Sequence, residues 1–348
     1  MRRLHSLDWI RGLAALAVVL YHAEASVRQH LPALPPPPPG DPGWFGYGWI
    51  GVPVFFVLSG YVIPQSLQQR GRSPAAFLAG RFWRLYPTYL ALTLVLLGLL
   101  AVEGAIGLPA EPITRAKLLS SLAFGWGSND HAYLYVGWTL FWETLFYLLM
   151  APLAPRLGRI GPGLPLALFL LVAAAAYLVP GPGGLSQSLI YLSSFAAGLG
   201  GWALGLRPGA GPLLAFAGGL LLLLLGPSDP GFSRVAAGTA LLLPLLVSAE
   251  RRGAASFRLA PLVGLGTVSY SLYLVQAISL PLAIQACAQL SRRLGVAALL
   301  PAPLLQAVAM GVGLAVSLLA AWLSWRLLER GLAPWGEARW RRWREAWR

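Results

Sequence analysis

Three side chains capable of acid–base or anion chemistry, Asp8, Arg11 and His22, stand inside or at the rim of an otherwise apolar stretch, SLDWIRGLAALAVVLYHAEA over residues 6–25. At ~100° and ~1.5 Å per residue, the step from Arg11 to His22 is about three turns plus ~20°, so both lie on one helix face, roughly 16 Å apart along the axis. Asp8 precedes Arg11 by one turn and is placed to pair with it. One group then sits near a membrane face and the other well inside the bilayer, where ionisable side chains are costly and usually face a bundle interior or a wet cavity. His22 is therefore a candidate for proton transfer, while a histidine merely bonded to a neighbouring helix fits the same periodicity. Glu143 is the acid placed deep in another apolar run, GWTLFWETLFY over residues 137–147. A carboxylate there costs on the order of 2–3 kcal/mol or more unless it is protonated, paired or hydrated. Glu143 lies about nine residues, and His22 about five, below the outer ends of their helices, so within the uncertainty of span ends the two can share one depth and meet. A carboxylate beside the imidazole would fix its tautomer and raise its basicity.

Arg81 and Arg84, in RFWRLYP over residues 81–87, fall on one face of a short helix at the membrane surface. Their planar forks suit phosphate, and Pro87 fits the start of the next helix, whose N-terminus also favours anions. Anchoring to anionic headgroups is the plainer reading of the same pair. In LGTVSYSLYLVQ, residues 265–276, hydroxyls and the amide of Gln276 enter an apolar run.

These residues need a membrane scaffold, and composition supplies one. The 348 residues are 57% hydrophobic and 11% charged, with a mean hydropathy of +0.65. Apolar runs of about 20 residues recur along the chain, the signature of a polytopic helical membrane protein and not of an alternating barrel. About ten spans are expected, near 7–27, 48–68, 85–107, 134–154, 163–180, 188–206, 212–227, 234–250, 260–288 and 303–327, giving an all-α transmembrane bundle. With both termini cytoplasmic, only Arg28, Arg115, Lys117, Arg234, Arg292 and Arg293 of the 26 basic residues fall outside. The net charge of +14 then reflects positive-inside orientation, and no nucleic-acid partner is needed to explain it. A single cysteine, Cys287, excludes an internal disulfide, and four scattered histidines give no metal-ligand cluster.

Between the spans, Pro35 to Pro39 make a stiff extended spacer. Gly51, Ser59 and Gly60 interleave with aromatics in the second span and permit close helix approach. Residues 156–258 read as scaffold. The tail beyond residue 330, with Trp335, Trp340, Trp343 and Trp347 among arginines, reads as a membrane-surface segment bound to lipid. The division is therefore 1–330 for the membrane domain and 331–348 for the basic tail. The N-terminus also fits a signal peptide, with Ala23-Glu24-Ala25 as its cleavage site.

Taken in order, Leu7-Asp8 with Arg11-Gly12 and His22, Gly51 to Tyr61, Arg81 and Arg84 with Pro87, Trp138 through Glu143 to Phe146-Tyr147, and Ser269 to Leu274 resemble the transmembrane acyltransferase 3 family of mainly bacterial integral-membrane enzymes. The resemblance covers nearly the whole chain. It implies transfer of an acyl group, often acetyl, from cytoplasmic acyl-coenzyme A as co-substrate to a hydroxyl of a cell-envelope glycan or a small molecule. No further cofactor is implied, and the setting is the bacterial inner membrane. It also implies a catalytic role for His22, donor handling by Arg11, Arg81 and Arg84, and supporting positions at Asp8, Ser59, Tyr147 and Gln276. Gln276 stands where many members have a histidine, and an amide cannot take a proton at neutral pH. Cleavage after Ala25 would discard His22, so the resemblance argues against a signal peptide. The rival class is a transporter or flippase using Arg11, His22 and Glu143 as a polar pathway; no inverted repeat supports it.

Overall fold

The computed structural model describes residues 4–31, 43–68, 73–108, 110–153, 161–179, 181, 184–206, 209–226, 229–332, 334–336, 338–339 and 342. Among them every regular element is a helix: α1 (His5–His30), α2 (Gly51–Gln68), α3 (Pro74–Ala105), α4 (Arg115–Leu122), α5 (Trp138–Met150), α6 (Gly163–Leu178), α7 (Gly184–Leu206), α8 (Ala210–Leu225), α9 (Pro230–Arg251), α10 (Ala260–Arg293), α11 (Val296–Leu299) and α12 (Ala302–Ser324), with short 3-10 turns between. Eight helical stretches are long and apolar enough to cross a membrane, and α6 and α8 are shorter apolar helices. The Pro35 to Pro39 spacer and most of the tail lie outside the described residues.

Two compact units share the long helices between them. The first comprises residues 1–14, 50–81 and 142–266, and its side-chain contacts fix the direction of each helix. Phe56 lies 5.8 Å from Tyr191 between ring centroids, while Tyr61 lies against Gly198, so α2 and α7 run parallel. Trp142 meets Tyr191 at 5.3 Å and Phe146 stacks on Phe195 at 4.8 Å, which makes α5 parallel to α7 as well. Tyr191 meets Phe232 at 5.2 Å, and Gly201 faces Ala240 and Pro244, which aligns α9 in the same sense. With α5, α7 and α9 running one way, α6 and α8 must each carry the chain back. Each has 16 residues, about 24 Å at ~1.5 Å per residue, and crosses a ~30 Å hydrocarbon layer where the bilayer thins or the flanking chain reaches in. Of the ten spans expected, eight are thus long enough to cross on length alone, and α6 and α8 are the two short ones.

Close crossings hold this unit together. A Cβ on Gly60 would lie 1.9 Å from the Phe195 carbonyl oxygen, and one on Gly198 2.0 Å from that of Val57. Side chains are excluded there, so the α2 and α7 backbones approach directly. At the start of α1, the free N–H groups of His5 and Ser6 donate to the Glu250 carboxylate at 2.8 and 2.9 Å, and the Ser6 hydroxyl donates at 2.6 Å. An acid at a helix N-terminus meets both orphan donors and dipole.

The second unit comprises residues 15–49, 82–141 and 267–348. Ser271 bonds Ser324 and Ser279 bonds Ser317, at 3.0 and 2.7 Å, so α10 and α12 run antiparallel. The Gln306 amide donates to the Leu31 carbonyl at 2.9 Å, tying the start of α12 to the end of α1. Glu24 accepts from Arg28 at 2.5 Å and from the backbone N–H of Phe45 at 2.6 Å, fastening the chain after the proline spacer onto α1.

Arg81 and Arg84 do not lie on a separate surface helix ending before Pro87. α3 is continuous from Pro74 to Ala105, with Pro87 inside it. Proline removes one backbone hydrogen bond, and the long apolar segment that follows keeps the helix running.

Candidate functional site

In the first unit, α2 and α5 bring Ser59 and Glu143 together. The Ser59 hydroxyl donates to Glu143 Oε1 at 2.9 Å, and the Tyr147 hydroxyl, one turn along α5, donates to the same oxygen. The carboxylate that sequence places deep in a span thus has two hydroxyl donors, which lower the cost of holding a half-buried charge there. The Arg81 guanidinium lies over the rings of Phe77 and Tyr147, at 5.4 and 5.5 Å, and donates to the Ser66 hydroxyl at 3.1 Å. A planar cation packed on aromatic faces is held in a fixed orientation. Asp8 is buried, 3.7 Å from His5 Nδ1. Arg11 follows it by one turn on α1.

His22 belongs to the second unit. Its half-buried ring is walled by Tyr21 and Tyr135, edge-on at centroid distances of 5.1 and 5.2 Å. Tyr135 opens the 3-10 turn Tyr135–Gly137, which α10 fastens: the Tyr273 hydroxyl donates to the Val136 carbonyl at 3.4 Å and accepts from Thr139 at 3.0 Å. An imidazole held by ring packing keeps its nitrogens available for a reacting group. His22 and Glu143 fall in different units, each with the partners named above, and the pairing expected from their depths stays an expectation.

Arg84 also belongs to the second unit, and near it stands an acid that the sequence pattern does not single out. The last transmembrane helix ends in a π-helical stretch, Trp325–Leu332. Glu329 in that stretch accepts from the Ser271 hydroxyl at 2.5 Å and acts electrostatically on Arg84. A span drawn to end at residue 327 leaves Glu329 just past its end. The missed signal is the lone acid in WRLLERGL, which a π-turn rotates inward, and such turns cluster at functional sites. Tyr270 donates to the Leu85 carbonyl at 2.7 Å, so α10 is pinned beside Arg84 as well. Gln276 is fully buried in α10, and neither amide atom has a hydrogen-bond partner among the described residues.

The long apolar helices among the described residues define a multi-pass helical membrane protein. Residues 4–322 match the profile of the acyltransferase domain that defines the acyltransferase 3 family, and the chain belongs to that family. It is 30% identical over 313 residues, 85% of this chain and 92% of the relative, to the exopolysaccharide production protein ExoZ of Rhizobium meliloti (strain 1021). A shorter likeness, 36% over 91 residues, covers 26% of this chain and 19% of BcsY of Komagataeibacter xylinus, provisionally named a membrane-bound transacylase. Another, 38% over 94 residues, covers 26% of this chain and 42% of protein 2 in the picA locus of Rhizobium radiobacter. No solved structure matches the chain.

Proposed function

We propose that this acyltransferase takes an acyl group, acetyl in the simplest case, from acyl-coenzyme A and passes it to a hydroxyl of a cell-envelope polysaccharide in the bacterial inner membrane. The observation that carries this reading is His22, an ionisable ring on a membrane helix, flanked by Tyr21 and Tyr135, in a chain aligned nearly end to end with an exopolysaccharide production protein. The donor's phosphates bind in the second unit at Arg84, on α3 beside Glu329. Arg11 lies toward the entry of the same helix that bears His22. The acceptor oxygen attacks the thioester carbonyl, His22 takes the hydroxyl proton, the carbon–sulfur bond breaks, and the proton passes to the departing thiolate. An acyl-His22 relay gives the same balance in two steps.

The test is coenzyme A release from acetyl-coenzyme A by the protein in nanodiscs, with and without a glycan acceptor. General-base catalysis contributes about 10²- to 10⁴-fold, so His22→Ala is expected to lose at least that much. Turnover retained in His22→Ala would overturn the role of the histidine. No donor binding or turnover by folded wild type would overturn acyl transfer from coenzyme A and return weight to transport.

A further inference from the structure

We infer that Gln276 is the recognition residue for the hydroxyl-bearing acceptor, its buried amide holding a donating-and-accepting pair of hydroxyls of the kind a sugar presents. The inference deepens the acyl-transfer reading and rests on it for the direction of the reaction.

Gln276 is 0% exposed, and both Oε1 and Nε2 lack hydrogen-bond partners among the described residues. Its neighbours on α10 show what satisfied polar groups look like here: Ser279 bonds the Val275 carbonyl and Ser317, Ser271 bonds Ser324 and Glu329, and Tyr273 bonds Thr139 and Val136. An amide buried without partners is unfavourable in the resting protein, and a leucine or methionine there would avoid that cost. An amide so placed points to a ligand that meets it.

The amide's chemistry narrows the ligand. Nε2 only donates and Oε1 only accepts, so a phosphate or carboxylate would leave Oε1 unmet and an ammonium group would leave Nε2 unmet. Hydroxyls both donate and accept, and two adjacent ones match the amide's paired edge. Position then separates acceptor from donor. Along α10, Tyr270 and Ser271 are bonded at the level of Leu85 and Glu329, beside Arg84. Tyr273 comes next, bonded to the turn whose Tyr135 flanks His22. Gln276 is one further turn along the helix, about 4.5 Å at ~1.5 Å per residue. Along α10 the order from the proposed phosphate site is therefore the level of Arg84, then the anchor of the turn that flanks His22, then Gln276, so the amide lies farther from the phosphates than Tyr273 does, as an acceptor-binding group must.

The experiment compares wild type and Gln276→Met in nanodiscs, using acetyl-coenzyme A and cellotetraose as probes. Thermal unfolding is measured with and without the tetrasaccharide, and KM is measured for both substrates. We expect the apolar variant to unfold at a higher temperature than wild type, and the tetrasaccharide to stabilise wild type only. KM for the tetrasaccharide should rise about tenfold or more, as for a site built to bond a hydroxyl, while KM for acetyl-coenzyme A moves far less. Lower stability with an unchanged acceptor KM would overturn the inference and make the amide an internal strut. Higher stability with unchanged saccharide binding would overturn it in favour of a permanently trapped water. If wild type does not consume acetyl-coenzyme A, acyl transfer fails, yet saccharide-dependent stabilisation lost in Gln276→Met still decides the site.

Discussion

A half-buried carboxylate inside an apolar span depends on its donors, and Glu143 takes both of its hydroxyl donors, Ser59 and Tyr147, at one oxygen. Ser59→Ala or Tyr147→Phe should each lower stability by about 1–3 kcal/mol, the usual range for a hydrogen bond to a charged group. Because the donors share an acceptor, each single variant leaves that oxygen one donor and only the double strips it of both, so the double should lose more than the two single losses added together, which a double-mutant cycle of thermal unfolding in nanodiscs measures. Strict additivity would show that the hydroxyls act independently. Sequence identifies Glu143 as needing a partner, since composition alone reveals an acid in an apolar run. It cannot pair Glu143 with Ser59, because packing between separate helices decides which faces meet. Glu329 escapes the sequence for a different reason: a π-turn changes the angular step per residue, and a periodicity of 3.6 cannot anticipate its inward turn.

Helices are legible wherever apolar runs exceed the membrane thickness; their ends are not. α3 begins at Pro74, well before the expected residue 85, so the two arginines ride on the transmembrane helix itself. Hydropathy falls at the charged RFWR stretch although the helix continues, because hydrogen bonding within the helix does not depend on polarity. Glycine is a better guide, since Gly60, whose small size permits close approach, sits at the α2–α7 crossing. Gly60→Ala and Gly198→Ala each place a methyl group against a backbone carbonyl, which cannot rotate away as a side-chain end can. Overpacking of this kind costs about 1–3 kcal/mol, occasionally more. Gly98 is the control: nothing lies within 4 Å of a Cβ built there, and alanine is the better helix former by about 0.8–1.0 kcal/mol. Gly98→Ala should therefore be neutral or stabilising. Unfolding temperature and recovery as a single peak on size exclusion report all three; tolerance of Gly60→Ala would mean that the crossing opens at little cost.

At the scale of the whole chain, the parallel run of α5, α7 and α9 bears on topology more strongly than hydropathy does. If α6 and α8 failed to cross, α7 would leave the membrane face on which α5 ends and run opposite to it, against the Trp142–Tyr191 and Phe146–Phe195 contacts. Ten crossings, an even number, would put both termini on one side, and the arginine distribution would make that side cytoplasmic. In a Cys287→Ser background, single cysteines in place of Gly183 and Ser228, in the short connections before α7 and α9, should then react with a membrane-impermeant maleimide added outside whole cells. A cysteine in place of Arg348 should react only after the membrane is opened. Labelling of position 183 only from inside would mean that α6 does not cross. Because parallel helix contacts require that crossing, the same result would also dissolve the α5–α7 packing that holds Glu143 opposite Ser59. Topology and site geometry therefore stand or fall together.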